Sequence, residues 1–378
     1  MKFIHLADLH IGKRVNEFSM IEDQEYILLK ILNIIDEQKP DAVLISGDVY
    51  DKPVPSAQAV ELFDWFINSL ASRHITAFII SGNHDSAQRM AFASKLIDTT
   101  GIHFSPAFDG DIKPFVMNDE YGRVNIYMLP FIKPIDVRVK YGIEENISYS
   151  DAVETAISHM NVNTHERNII LSHQFVTGAD RCDSEDISVG GTDGVSAEVY
   201  NPFDYAALGH LHSPQSAGRD TVRYAGTPLK YSFSEINHKK SVTVVEMRTK
   251  GDVDIKTVSL VPKRDMAEIK GSYDEIMQKS YYEKLNTDNY YHIILTDEND
   301  ILDALSKLRN VYKNIMKLDY DNTRTRSISS VNANDDVQKK NPVELAGELY
   351  LMQNGAELSS EQLQYLRKTA EKIWEGNE

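Results

Sequence analysis

Cysteine is almost absent. The 378-residue chain holds one, Cys182, which rules out an internal disulfide and fits a reducing cytosol. That cysteine lies in a polar loop, Asp180-Arg-Cys-Asp-Ser-Glu, with no second thiol, and is given no role. Long apolar runs are missing too: none reaches the roughly eighteen residues of a membrane-spanning helix. Met1-Lys2-Phe3-Ile4-His5 leads straight into a strand pattern, so no signal peptide is expected and a cytoplasmic location is. Positive charge is also short, with 40 Lys and Arg against 57 Asp and Glu and a net charge of −17. A generic nucleic-acid binder would show a basic stripe. Bound divalent cations, or a basic partner subunit, would still let an acidic chain act on a polyanion. No Gly-x-Ser-x-Gly elbow is present, so no serine nucleophile is signalled.

What the chain does have is one design repeated five times. Ala42-Val-Leu-Ile-Ser-Gly climbs through apolar residues and stops at Asp48. Lys2-Phe-Ile-His-Leu-Ala ends in Asp8 and His10, and Thr76-Ala-Phe-Ile-Ile-Ser-Gly in Asn83 and His84. Asn168-Ile-Ile-Leu-Ser ends in His173, and Tyr205-Ala-Ala-Leu-Gly in His210 and His212. Ligands of open α/β sheets bind outside the carboxyl ends of the strands. If these five strands share one sheet, Asp8, His10, Asp48, Asn83, His173, His210 and His212 converge on one crevice as a two-metal site. The pairs Asp8-x-His10 and His210-x-His212 share a face if extended. The other histidines (His5, His74, His103, His159, His165, His238 and His292) have no such company and read as ordinary polar residues.

Two divalent ions about 4 Å apart need a bridging carboxylate and clamp the attacking and leaving oxygens of a phosphodiester. Asp48 is the natural bridge. Imidazole, carboxylate and amide donors without thiolate suit Mn²⁺, Fe²⁺ or Zn²⁺, and the oxygen share leans toward Mn²⁺, with Mg²⁺ also open. His84 is left over to point at the leaving oxygen as a proton donor, and Asp51 to hold its other ring nitrogen; the bland reading of Asp51 is a turn carboxylate. Lys13 and Arg14, just after the first ligand pair, are candidate DNA-phosphate contacts, with Lys133, Arg138 and Lys140 behind them. Each has a plain reading as a solvated surface charge.

The fold class expected is α/β: a two-layered β-sandwich core flanked by helices, with a small α+β unit and a C-terminal helical pair. Helices are expected over Met20–Asp36, Ser56–Ser69, Ala87–Asp98 and Asp151–Met160, alternating with strands at the start. Strands at Arg223–Pro228, Ser241–Glu246 and Asp252–Val258 alternate at period two and look antiparallel. The long Gly- and Ser-rich segment Phe175–Asn201, beside ligands, reads as functional. Domain limits fall at 1–262, 263–321, a polar linker 322–340 and a helical tail 341–378, where Ser359 and Gln362 form a capping box.

Asp8-x-His10, Gly47-Asp48-x-x-Asp51, Gly82-Asn83-His84-Asp85, Ser172-His173 and Gly209-His210-x-His212 resemble, in order and spacing, the motif series of calcineurin-like metallophosphoesterases. Lys52-Pro53 and Asp85 depart from the protein-phosphatase branch. The stretches Val189–Val195, Phe203–His212 and Tyr224–Glu235 resemble its DNA-nuclease branch, whose members work with an SbcC-type ATPase. That likeness implies Asp8, His10, Asp48 and His212 on one Mn²⁺ and Asp48, Asn83, His173 and His210 on the other, with His84 assisting at the phosphate. It implies a capping domain that presents DNA, tail helices that dock on the ATPase (Leu363, Leu366, Ala370, Ile373, Trp374), and a homodimer. Some nuclease relatives have histidine where this chain has Asp51. A small-molecule or cyclic-nucleotide phosphodiesterase with the same metal pair is the enzymatic alternative; a scaffold with a vestigial site is the non-enzymatic one.

Overall fold

The computed structural model describes all residues except 92–99, 181, 183–184, 186–193, 324, 326–341, 355–356 and 376–378. The part of the expected third helix from 92 to 98, the glycines 190–191 and most of the linker lie outside the described residues. No described helix is long and apolar enough to cross a membrane.

Two six-stranded sheets pack face to face. The first holds β1 (Lys2–Leu6), β4 (Ala42–Ser46), β5 (Thr76–Ile80) and β6 (Ile102–Phe104) in parallel, with β13 (Ser241–Met247) and β14 (Val253–Ser259) antiparallel on the β1 side. The second runs β11 (Gln215–Ala217), β12 (Arg219–Tyr224), β10 (Tyr205–Gly209), β9 (Arg167–His173), β8 (Gly122–Leu129) and β7 (Phe115–Asp119). The motif strands therefore divide, three in the first sheet and two in the second, instead of sharing one. The segment around Arg223 is antiparallel on one side only: it pairs antiparallel with the short β11 and parallel with β10.

The central strands β1, β4, β5, β9 and β10 are covered on both faces, so they are buried almost throughout rather than alternating. Phe3, Leu44, Phe78 and Ile80 meet Ile126, Ile169, Leu171 and Tyr205 between the sheets. On the far face of the first sheet lie α1 (Ile21–Gln38) and α2 (Ala57–Ser72). α1 buries Ile27, Leu28, Ile31, Leu32, Ile34 and Ile35, one stripe of a 3.6-residue period, and ends on Lys39 in the left-handed region. α2 is capped by Ser56, whose hydroxyl accepts from Ala59 N–H. The helix Tyr149–His159 covers the second sheet.

A third, all-parallel sheet of β15 (Met266–Gly271), β16 (Tyr290–Leu295) and β17 (Asn314–Tyr320) has its own core of Ile269, Tyr291, Ile293, Leu308 and Tyr312. It is tied to α1 by Arg264, which donates to the buried Asp23 at 2.7 Å, and by the Tyr290 hydroxyl at 2.6 Å. Asn322, read from sequence as linker, is buried and donates to Asp297 O at 3.1 Å. The remaining strands, β2 (Arg14–Val15) and β3 (Phe18–Ser19), form a small hairpin beside it. The tail helices Pro342–Asn354 and Ser360–Glu375 pack on each other, with the Ser359–Gln362 capping box formed.

Candidate metal centre

The carboxyl ends of β1, β4, β5, β9 and β10 meet at one edge of the sandwich, so the site is built across both sheets. The chain past β1 stays stitched to the chain past β4: Asp8 N–H donates to Gly47 O at 3.0 Å and His10 N–H to Asp48 O at 2.9 Å. The second sheet is joined to the first by His210 N–H, which donates to Asp8 Oδ1 at 2.9 Å. The approach is so close that a Cβ on Gly209 would stand 1.9 Å from Ser46 O. A Cβ on Gly82 would stand 2.1 Å from Asp48 Oδ1. Glycine before these ligands is a steric requirement.

The ligand pairs are not extended. Asp8, His10, Asp48 and His210 have φ of 52°, 44°, 49° and 104°, a region that costs non-glycine residues on the order of 1–3 kcal/mol each. The shared-face argument from strand alternation is thereby corrected; Asn83 and His84 likewise lie in a bend. Strained turns, not pleats, aim these side chains.

Asp48 sits at the middle. Its Oδ2 lies 3.3 Å from His173 Nε2, 3.8 Å from His10 Nε2 and 3.9 Å from His84 Nε2. Two trios of donor atoms share it, one with Asp8 and His173, the other with His10 and His84. The likeness to metallophosphoesterases pairs Asp8 with His10 instead; in both groupings Asp48 is common. Asn83 Oδ1 stands 3.0 Å from both His173 Nε2 and His210 Nδ1, and the His212 ring centre 5.1 Å from that of His10.

These residues fit a pair of cations. His173 Nδ1 must donate to Ser46 O at 2.8 Å, so its Nε2 faces two oxygens, of Asp48 and Asn83, with a proton standing where a cation would. Burial opposes that proton, yet the Asp48 charge and hydrogen bond push the imidazole up to about 9. Burial likewise works against ionising Asp48, but His173, His10 and His84 hold its carboxyl well below the usual range. Asp8 goes the other way, pushed well above it by burial, with the Asp48 charge adding to this against the pull of His173. Burial also holds His10 as neutral imidazole, and neither of its ring nitrogens has a hydrogen-bond partner among the described residues. Buried lone pairs of that kind are costly unless something binds them.

His84 is partly open, its side chain 24% exposed, where Asp48 beside it is buried. Its Nδ1 lies 3.2 Å from the backbone oxygen of Asp51, and this corrects the expected contact. The Asp51 carboxylate turns instead to Lys13 Nζ at 2.7 Å, which leaves Lys13 paired rather than reaching outward. Arg14 lies on the exposed hairpin and donates to Glu17 O. Arg138 is spent on Glu144 O and Ile143 O.

Several residues at the site carry no signal in the strand-end pattern. Asp85 accepts from Gly82, Val49 and Tyr50 N–H at 2.9–3.0 Å and so rivets the β4 and β5 turns together; burial and Asp48 raise it to about 6. Gln24 of α1 donates to His10 O at 2.7 Å and to the Tyr231 hydroxyl at 2.9 Å. Glu185, Glu235 and Lys240 surround His212. Asp85 and Glu235 fall inside stretches singled out by resemblance; Gln24, Glu185 and Lys240 lie outside them.

The chain matches the calcineurin-like phosphoesterase family over residues 1–214 and a family described as "Type 5 capsule protein repressor C-terminal domain" over residues 262–354. It is similar to the SbcD subunit of nuclease SbcCD from Staphylococcus epidermidis, 31% identical over 89% of this chain and 90% of that one. It is also similar to the same protein of Staphylococcus saprophyticus, 29% identical over 97% of both chains. A dimetal phosphatase from Danio rerio aligns over 69% of this chain and 96% of its own, with a TM-score of 0.45 and 11% identity. The chain belongs to the calcineurin-like phosphoesterases, and within that class to the SbcD family of SbcCD nuclease subunits. It is a metal-dependent hydrolase with a dimetal site.

Proposed function

We propose that the chain is the Mn²⁺-dependent nuclease subunit of an SbcCD-type complex. It acts as a double-strand exonuclease and as a single-strand and hairpin endonuclease, in DNA repair, recombination and replication. The observation that carries this is Asp48, shared by two trios of donors at the junction of both sheets. Asp8, His10, Asp48 and His212 would hold one Mn²⁺ and Asp48, Asn83, His173 and His210 the other. When bound, the two ions neutralise phosphate charge and activate water.

The chain's own part in the chemistry is proton handling and positioning. His84 Nδ1–H donating to the Asp51 carbonyl fixes the tautomer, so Nε2 takes up and returns the second proton. As imidazolium it faces the phosphate and gives that proton to the leaving oxygen. The acidic surface is compensated at the site by the cations it binds.

The unit from 263 to 321 caps the site and presents DNA, and the helices of 341–378 dock on an SbcC-type ATPase in a cytoplasmic assembly built on a homodimer. Half-exposed Leu349 and Leu351 and open Tyr365 support that docking, since these apolar side chains have little cover on their own chain. Hairpin duplex DNA and bis-(p-nitrophenyl) phosphate, incubated with the chain in Mn²⁺ with and without the ATPase, test the reading. Cleavage of the hairpin is expected, and hydrolysis of the small ester alone would move the assignment to a small-molecule phosphodiesterase. Deleting 342–378 should abolish ATPase association while shifting the melting temperature by roughly 2 °C or less, as an appendage should.

A further inference from the structure

His212 is held at its backbone N–H, its carbonyl and its ring at once. Its N–H donates to Glu185 Oε1 at 2.6 Å, and its carbonyl accepts from Lys240 Nζ at 2.9 Å. Its Nδ1 lies 3.2 Å from Glu235 Oε1. Glu235 is fully buried, and its second oxygen takes Lys240 Nζ at 2.6 Å; Lys240 also donates to Thr227 Oγ1 at 2.6 Å. The other histidines differ. His173 holds a backbone carbonyl through Nδ1 and turns Nε2 to Asp48 and Asn83, the His210 ring meets an amide, and His10 has no hydrogen bond to its ring among the described residues.

We infer that Glu235, held by Lys240, is a positioning residue that fixes His212 as the Nδ1–H tautomer, presents its Nε2 to one ion and raises that nitrogen's donor strength. The inference rests on the two-ion reading above. A carboxylate clasped by an ammonium can only accept, so Nδ1 must donate and the lone pair is confined to Nε2. A carboxylate behind a ligating imidazole sets its orientation and basicity, and its loss costs 10–100-fold in metal affinity. Cys182, His212 and Glu235 also lie close enough to form a third trio of donors. The Lys240 ammonium on Glu235 makes that spot hostile to a cation, so the trio is the support of the centre rather than another site.

Glu235→Gln separates the role from mere packing. With its oxygen kept on Lys240, the amide turns N–H toward His212 and forces Nδ1 to accept, which puts the proton on Nε2. The full-length chain, histidine-labelled with ¹⁵N and metal-free, reports the tautomer by NMR, the His212 signal being assigned by its loss in His212→Ala. Mn²⁺ titration calorimetry reports the two affinities. Expected are an Nδ1–H tautomer in the wild type and Nε2–H in Glu235→Gln, with one Mn²⁺ weakened roughly 10–100-fold and the other unchanged. Adding His212→Ala to Glu235→Gln should weaken that position no further than His212→Ala alone. Wild-type affinity at both positions in Glu235→Gln, or an unchanged tautomer, overturns the proposal. If the variant fails to fold, Glu235→Leu with Lys240→Met removes the stranded charge; recovery of both Mn²⁺ affinities there overturns it, and loss of one supports it. A wild type that takes up no Mn²⁺ sinks the two-ion reading instead, while the tautomer still judges the contact between Glu235 and His212.

Discussion

One strand, β9, carries a buried charged cluster at each end, and the two clusters are opposites. At its start, Arg167 is almost fully buried and donates to Asp119, to Gly122 O at 2.7 Å and to Arg248 O at 2.8 Å. The amino terminus of Met1 adds a second cation on Asp119 at 2.7 Å. Cations, carboxylate and carbonyls there satisfy one another, and hydrogen bonding to Arg167 holds the Asp119 carboxyl well below its usual range despite the cost of burial. At the strand's other end His173 joins Asp8, Asp48 and His10, a crowd of acceptors and lone pairs with too few donors. A buried polar cluster that closes on itself supports the fold, and one left short of positive charge is built to receive it.

The sharpest way to break this contrast is Asp48→Asn. Losing the shared carboxylate should cut Mn²⁺ binding at both positions and turnover by roughly 10⁴ or more, because several kcal/mol of charge stabilisation go with it. The metal-free protein should melt no lower than wild type; a variant that keeps both ions would dissolve the distinction between the two ends. His84→Ala comes next. It should leave Mn²⁺ content and DNA affinity intact while single-turnover cleavage slows by roughly 10²–10⁴. A metal lost with His84 would make it a ligand, in keeping with its trio with His10 and Asp48.

At the opposite end, Asp119→Ala should do the reverse. Breaking a buried pair costs about 3 kcal/mol, readable by denaturant unfolding, with metal content and turnover unchanged. A last test, whose effect vanishes at neutral pH, sharpens the rule about unsatisfied groups. His5 also has a buried ring nitrogen, Nε2, without a hydrogen-bond partner among the described residues, while its Nδ1 meets the Tyr205 hydroxyl at 2.9 Å. Burial, then the charge of Arg223, lowers it from 6.5 to about 3. The unfolded chain therefore takes up a proton first as pH falls. Stability is full above pH 6.5 and is lost progressively from there down to about 3, and His5→Gln should flatten that part of the slope in urea unfolding curves taken across the window.

Much of the centre was legible because its residues sit at strand ends, where an apolar run makes a carboxylate or imidazole conspicuous. The helices of the first sheet were equally plain, since Ile27, Leu28, Ile31 and Leu32 mark one buried stripe. Three things were not legible, each for a physical reason. Period-two patterning cannot say which of two sheets a strand joins when both faces of both are buried, so β9 and β10 were read with β1. The hydrogen bond from His84 ends on a main-chain oxygen of Asp51, and any residue there would offer the same atom. Glu185, Glu235 and Lys240 come together only through tertiary folding, and nothing in their local sequence marks them as supports of His212.

The left-handed backbone at Asp8, His10, Asp48 and His210 sets a rule for anyone who would move this centre elsewhere. Copying the side chains onto ordinary strands of another scaffold would aim them wrongly, because the directions come from turns that only glycine adopts without cost. The graft must carry the turns with it, along with enough surrounding core to hold them bent. In a laboratory selection for heat resistance alone, these same positions should be the first to drift to glycine, trading the chemistry for relief of strain.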